Sequence, residues 1–228
     1  MPKETSKEDS RRNPLAVWVA YAIQFCQERK GIVLGVLVAL VVASGASAGY
    51  VWYQARQERD AQVVLNKAQA ALRKGEKPDT PGNPEEAKKM FTEVISRFPG
   101  TVAAEESQLR LGNMQYDDRK YDEAIATFSG YLSTHSRGQF RVLAAIGKAY
   151  AEEGKGDLEA STKTLSELVV TAKDDPMLGE AFSDLARFYE EAKKPQDALR
   201  VYGQVAERFP QTQWAQHALR RMAALKAK

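Results

Sequence analysis

The chain repeats its own punctuation: RFPGTVA at residues 97–103 returns as RFPQTQWA at 208–215, 111 positions later. Repetition at a period of 20–50 residues decides an architecture before any local propensity does, and 111 is three steps of 37. Proline cannot continue a helical hydrogen-bond ladder, and a threonine two residues later is a good N-cap. RFP-x-T therefore reads as the end of one helix and the start of the next.

Between the two copies the pattern is helical, with breaks at Gly, Pro and Asp clusters. LGNMQYDDRKYDEAIATFSGY (111–131) aligns without a gap on LARFYEEAKKPQDALRVYGQV (185–205). Leu111 meets Leu185, Gly112 meets Ala186, Ala124 meets Ala198, Phe128 meets Tyr202 and Tyr131 meets Val205. IGKAYAEEGKGDLEASTKTL (146–165) is read as a middle copy carrying Ile146, Gly147, Tyr150 and Ala160, with one extra residue in its Gly154-Lys155-Gly156 turn. A weaker copy precedes them: Ala87, Phe91, Val94 and Pro99 follow a first helix expected near residues 61–74. Small residues let paired helices approach, and the large ones fill the space between one pair and the next. A single pair cannot bury its apolar face, so neighbours must stack.

This scheme resembles the tetratricopeptide repeat, a helix–turn–helix unit of about 34 residues. The last copy follows that family best, with Phe182, Leu185, Ala186, Tyr189, Ala198, Tyr202 and Pro210 in register. Tyr116 stands one position late in the first strong copy, and none has the family's tryptophan in its first helix. The resemblance implies an all-α solenoid of about four helix pairs: units near 61–99, 102–136, 139–173 and 177–210, with 212–227 as a closing helix. It further implies a concave surface lined by the first helices. The family's groove positions fall on Glu106, Asn113 and Tyr116, on Arg141 and Lys148, and on Glu180, Arg187 and Glu190. Such polar residues suit a partner site and equally suit any solvated helix.

Ahead of the repeats lies GIVLGVLVALVVASGASAGYVWY, residues 31–53, without one charge. As a helix it runs about 34 Å, enough for a hydrocarbon core of about 30 Å. Tyr50, Trp52 and Tyr53 at its end resemble an interfacial belt. The segment is read as a single uncleaved membrane span. Cleavage after Ala46-Ser47-Ala48 is the competing reading, opposed by the thirty residues that precede the apolar stretch. Arg29 and Lys30 touch its start and favour an N-terminus inside, although basic residues are as frequent within twenty positions of the other end. That organisation puts a head at 1–30, the span at 31–53 and the repeat domain at 54–228. Within the head, residues 14–27 are apolar but too short to span, so they are expected to form an interfacial helix with Trp18, Tyr21, Ala22 and Phe25 on one face.

Composition narrows the function classes. Net charge is +3 from 33 basic and 30 acidic side chains, mixed along the body, which offers no electrostatic footprint for nucleic acid. Cys26 is the one cysteine; it precedes the apolar segment, where a lipoprotein cysteine would follow it, and His135 and His217 are the only histidines. No metal site, cofactor or enzyme is expected: Asp117-Asp118 with Asp122-Glu123 lacks the alternation of a calcium loop, and Asp174-Asp175-Pro176 reads as a helix start. No nucleophile elbow or phosphate loop is present.

An apolar anchor such as AIQFCQERKGIVLGVLVALVV followed by tetratricopeptide repeats resembles, in organisation, the ancillary Sec-translocon subunit family of bacteria. That resemblance implies an inner-membrane protein with its repeats in the periplasm, and translocon subunits, periplasmic chaperones or client chains as partners. Two alternatives remain at this point. One is a soluble or anchored periplasmic adaptor in envelope assembly or cell-division coordination; the other is a structural brace in a larger membrane complex.

Overall fold

The computed structural model describes residues 14–73, 82–172, 175 and 177–227, and every regular element among them is a helix. Two compact units divide the chain, Met1–Arg56 and Gln57–Lys228.

The first unit holds α1 (Pro14–Glu28) and the opening part of α2 (Lys30–Leu72). Trp18, Tyr21 and Phe25 of α1 are exposed; the side chain of Ala22, expected on the same face, lies outside the described residues, as do residues 1–13. In α2 an apolar window of mean hydropathy 2.3 has none of its side chains buried, and the helix is long and apolar enough to cross a membrane. Its two serines need no outside partner there: Ser44 donates to the Val41 carbonyl at 2.9 Å and Ser47 to that of Ala43 at 2.8 Å. The first repeat helix, expected near 61–74, has no start of its own. Residues 54–60 read QARQERD, without glycine or proline, so nothing ends the helix before Leu72.

The second unit takes residues 57–72 of α2 and stacks on them α3 (Pro84–Arg97), α4 (Val102–Asp117), α5 (Tyr121–Thr134), α6 (Arg141–Gly154), α7 (Leu158–Thr171), α8 (Leu178–Glu191), α9 (Pro195–Arg208) and α10 (Gln213–Lys226). From α3 on, each helix packs against the next, while α4, α6, α8 and α10 also touch one another in turn. Four helix pairs and a closing helix result, with the first helices of successive pairs sharing one surface.

The repeat is more regular than the sequence alignment made it. The second helices start at residues 84, 121, 158 and 195, a constant step of 37, and each is 14 residues long. On that step Ala87, Ala124, Ser161 and Ala198 form a column of small side chains with no exposed surface. Phe91, Phe128, Leu165 and Tyr202 form the large column beside it, each at most 1% exposed. Burying a side chain of that size stabilises by about 1.5–3 kcal/mol. The middle copy therefore needs correction. Ser161 occupies the small position assigned to Ala160, and Lys148 and Ala149 stand opposite Leu111 and Gly112, where Ile146 and Gly147 were placed. No residue is inserted in its turn. Arg119, Gly156 and Lys193 hold the same place on the step and all have positive φ, of 62°, 88° and 57°. α6 is rich in small residues (Ala144, Ala145, Gly147, Ala149, Ala151), so small size alone does not set its register.

The punctuation works as its residues suggest. Phe98 and Phe209 are C-caps, each donating its backbone N–H to the carbonyl four residues back. Gly100 and Gln211 turn the chain with φ of 78° and 65°. The Thr101 and Thr212 hydroxyl oxygens then accept from the N–H of Ala104 at 3.1 Å and Ala215 at 3.3 Å. Glu58 of α2 adds a second cap to α4, its carboxylate accepting from Val102 N at 2.7 Å and Ala103 N at 3.1 Å. A carboxylate there also meets the positive end of the helix dipole. The helix start expected at Asp174-Asp175-Pro176 falls mostly outside the described residues; Asp175 is described, and its side chain accepts from Met177 N at 2.8 Å.

Candidate functional site

The surface shared by α4, α6 and α8 gathers five side chains into one cluster. Tyr116 comes from α4, Tyr150 and Glu153 from α6, Asp184 and Arg187 from α8. Tyr116 and Tyr150 face each other with ring centroids 6.5 Å apart. The Tyr150 hydroxyl donates to Asp184 Oδ2 at 2.7 Å. Arg187 forks onto Glu153, with Nη2 donating to Oε2 at 3.2 Å and Nη1 donating to the other oxygen. Nη1 also reaches Glu191 at 2.8 Å, and Asp184 Oδ1 lies 3.5 Å from Nη2. The guanidinium stands 4.5 Å from the Phe188 ring centroid and 5.9 Å from that of Tyr150, within cation–π reach of both.

Burial sets the electrostatics here. It pushes the Tyr150 hydroxyl well above its usual range, and the hydrogen bond to Asp184 adds to the effect. Tyr116 is raised by burial first and by the Glu153 charge second. Burial also lifts the Asp184 carboxyl, although Tyr150 and Arg187 pull it back. For Arg187 burial opposes the charge, but the hydrogen bonds to Glu153 and Glu191 outweigh it and hold the guanidinium protonated. Glu180, one turn before Asp184, is raised by burial and then by the Asp184 charge.

Two further polar ties join units on the same side. Glu190 of α8 accepts the Tyr202 hydroxyl of α9 at 2.7 Å and Arg221 Nε of α10 at 3.0 Å. The Arg221 charge is reinforced first by its hydrogen bond to Glu190. Glu106 of α4 accepts Gln69 Nε2 of α2 at 2.9 Å and pairs with Arg110 at 3.0 Å.

Of the eight residues that the repeat pattern marks, Tyr116 and Arg187 thus meet, through Tyr150 and Glu153. Glu180 borders them, Glu106 and Glu190 tie neighbouring helices, and Asn113 stands exposed on α4. Arg141 and Lys148 lie elsewhere. They face a cleft between α5 and α7, where an Arg141 Nη donates to the Thr171 hydroxyl and Lys148 Nζ lies 3.4 Å from Glu152 Oε1. Tyr150, Glu153 and Asp184 are absent from the sequence-marked set. The constant step finds two of them, since 113 plus 37 is 150 and 116 plus 37 is 153.

The acidic pairs that invited a cation also have partners. Asp118 accepts from Lys88, whose hydrogen bond holds the carboxyl below its usual range, and Asp122 pairs with Lys155 at 2.5 Å. The cluster holds tyrosine, carboxylate and arginine on α4, α6 and α8, the first helices of three successive pairs.

Residues 58–228 match the family described as YfiO, outer membrane lipoprotein. A relative from Neisseria gonorrhoeae (strain ATCC 700825 / FA 1090), named ancillary SecYEG translocon subunit, is 27% identical over 168 residues, covering 73% of this chain and 78% of that one. Among solved structures, a tetratricopeptide repeat protein from Parabacteroides merdae ATCC 43184 superposes with a TM-score of 0.58 at 15% identity, over 74% of this chain and 61% of that one. A MamA structure from Desulfovibrio magneticus RS-1 gives 0.52 at 18% identity, over 73% and 89%. The structural likenesses establish the helical-repeat fold.

Proposed function

Because residues 58–228 make this chain a member of the YfiO family, whose fold here is a stack of tetratricopeptide-type helix pairs that serves as a protein-interaction scaffold, we propose that it is a membrane-anchored ancillary subunit of the Sec translocon. The single observation that carries this reading is the Neisseria relative, whose name states that role and whose match extends over 73% of this chain. In the proposal α2 crosses the inner membrane through residues 31–53 with the N-terminus in the cytoplasm. The repeat domain, residues 54–228, then stands in the periplasm and holds chaperones or emerging chains beside the translocon. Arg29 and Lys30 at the start of the apolar segment support that orientation. The lipid anchor in the family's description is not carried over, since Cys26 precedes the apolar segment.

In this reading the partner surface is the one shared by the first helices, carrying Glu106, Asn113, Tyr116, Glu180, Arg187 and Glu190 together with Tyr150 and Glu153. Affinity purification of the full chain from detergent-solubilised membranes tests the assignment. Translocon subunits are expected in the eluate at a fixed ratio to the bait. An eluate without them removes the translocon role. Protease added to spheroplasts tests the orientation: the repeat domain is expected to be degraded while residues 1–30 remain protected.

A further inference from the structure

We propose that the cleft between α5 and α7 is a receptor for a carboxylate side chain on an acidic, aliphatic peptide segment. The proposal rests on the scaffold reading and names what a second surface of that scaffold takes. Its first support is the register. On the 37-residue step Arg141 stands where α4, α8 and α10 have Ala104, Leu178 and Ala215, which are 6%, 1% and 4% exposed, while α2 has the exposed Lys67 there. Lys148 stands where α4, α8 and α10 have Leu111, Leu185 and Met222, the second buried in the apolar core and the other two packed against it. Among α4, α6, α8 and α10, α6 alone therefore places two cations at these core positions. A charge is retained at such a place only when an opposite charge meets it.

Lys148 has such a partner, the buried Glu152, whose other oxygen accepts the Thr164 hydroxyl at 2.7 Å. Arg141 differs. Among the described residues it meets no carboxylate, only the neutral hydroxyl of Thr171, while Arg110, Arg187 and Arg221 on the other first helices each grip a glutamate. A guanidinium fork without a carboxylate, at the mouth of a cavity, is complementary to one.

The cavity's size and walls identify the occupant further. It measures about 280 Å³, room for side chains of a bound segment. Leu132, Ala145 and Leu168 supply apolar wall, and Glu167 is the one acidic residue lining it among the described residues. One unit further on, the equivalent cleft between α7 and α9 has about 260 Å³, an apolar floor of Phe182 and Leu185, and Arg200 and Arg208 at its edge. Val170 beside it is 71% exposed. A segment laid over the second helices thus meets a cationic cleft and then an apolar one with a cationic rim. An acidic residue followed by an aliphatic one matches both.

The test uses the full chain in nanodiscs and three fluorescein-labelled twelve-residue peptides, in which leucine alternates with glutamate, glutamine or lysine. Binding is read by fluorescence anisotropy. The glutamate peptide is expected to bind about tenfold more tightly than the glutamine peptide, the margin of one charge-assisted hydrogen-bonded pair, and the margin should shrink as salt is raised. Arg141→Met should abolish the margin while the melting midpoint is kept, and Lys89→Met, which removes an exposed cation on α3, should leave it unchanged. Equal binding of the glutamate and glutamine peptides, or a margin that survives Arg141→Met, overturns the proposal. If Arg141→Met does not fold, Arg141→Gln, which keeps a donor for the Thr171 hydroxyl, takes its place in the same comparison. Loss of the margin with translocon subunits still co-purifying removes only the cleft. A margin that persists while no translocon subunit is recovered removes only the partner assignment.

Discussion

The ring of Phe128 on α5 is held between Gly112 on α4 and Gly147 on α6. A Cβ at Gly112 would come 2.7 Å from the ring, and one at Gly147 would come 2.6 Å from it. These glycines serve neither a turn nor a left-handed backbone; they are the space that a phenyl group occupies between consecutive units. Phe128 is 1% exposed, so it has nowhere to retreat. Gly147→Ala should therefore destabilise by about 1–3 kcal/mol through overpacking, despite a gain in helix propensity of up to about 1 kcal/mol. Urea unfolding of the full chain in detergent, followed by the helix signal, measures the change. Adding Phe128→Leu should recover part of it; full additivity of the two substitutions would show that the ring is not what alanine meets.

Arg187 ties α8 to α6 through Glu153, and the pair lies partly buried, with side-chain exposures of 36% and 23%. Two parallel hydrogen bonds in that setting exceed a surface ion pair. A double-mutant cycle with Arg187→Met and Glu153→Gln should give a coupling energy of about 1–2 kcal/mol. A value below about 0.5 kcal/mol would place the pair with solvent-exposed bridges. The same cycle guards any binding assay on this surface, because losing Arg187 loosens the stack as well as the site.

The solenoid was legible because its determinants are local and recur. Phe-Pro-x-Thr marks the junctions, and Ala124, Ala198, Phe128 and Tyr202 mark the second helices. Three features were not. The continuity of α2 depends on an absence of breakers between residues 54 and 60, which weighs little beside an abrupt change in polarity. The register of α6 was hidden by a run of small residues that fits at two offsets. The pairing of Tyr150 with Asp184, and of Arg187 with Glu153, joins residues 34 positions apart on different helices. Aligned copies show which positions correspond, but they do not show which side chains of adjacent units meet.

Glu180 supplies a pH dependence whose sign follows from its burial. Its carboxyl is raised, first by burial and then by Asp184, above the usual glutamate value of 4.5. Between that value and the folded one the native state binds more protons than the unfolded chain, so stability falls as pH rises through the window. Removing the group with Glu180→Gln cancels that slope while every other titration stays in place. The melting midpoint of the wild type relative to Glu180→Gln should accordingly rise as pH is lowered from 7 towards 4.5. A difference that is flat, or that moves the other way, would mean the carboxylate is better solvated or better paired than its surroundings suggest.

The two threonines of the repeated punctuation should respond unequally to the same substitution. Thr101 is 3% exposed and caps α4 inside the stack. Thr212 is half-buried and caps α10, the last helix, where fraying costs the rest of the molecule little. Loss of a threonine cap costs about 0.5–2 kcal/mol. Thr101→Ala is expected near the upper end of that range and Thr212→Ala near the lower. Glu58 moderates the first loss by keeping two N–H groups of α4 satisfied, so combining Thr101→Ala with Glu58→Gln should cost more than the sum of the two alone. Urea midpoints of the four proteins measure this, and strict additivity would show that the caps act independently.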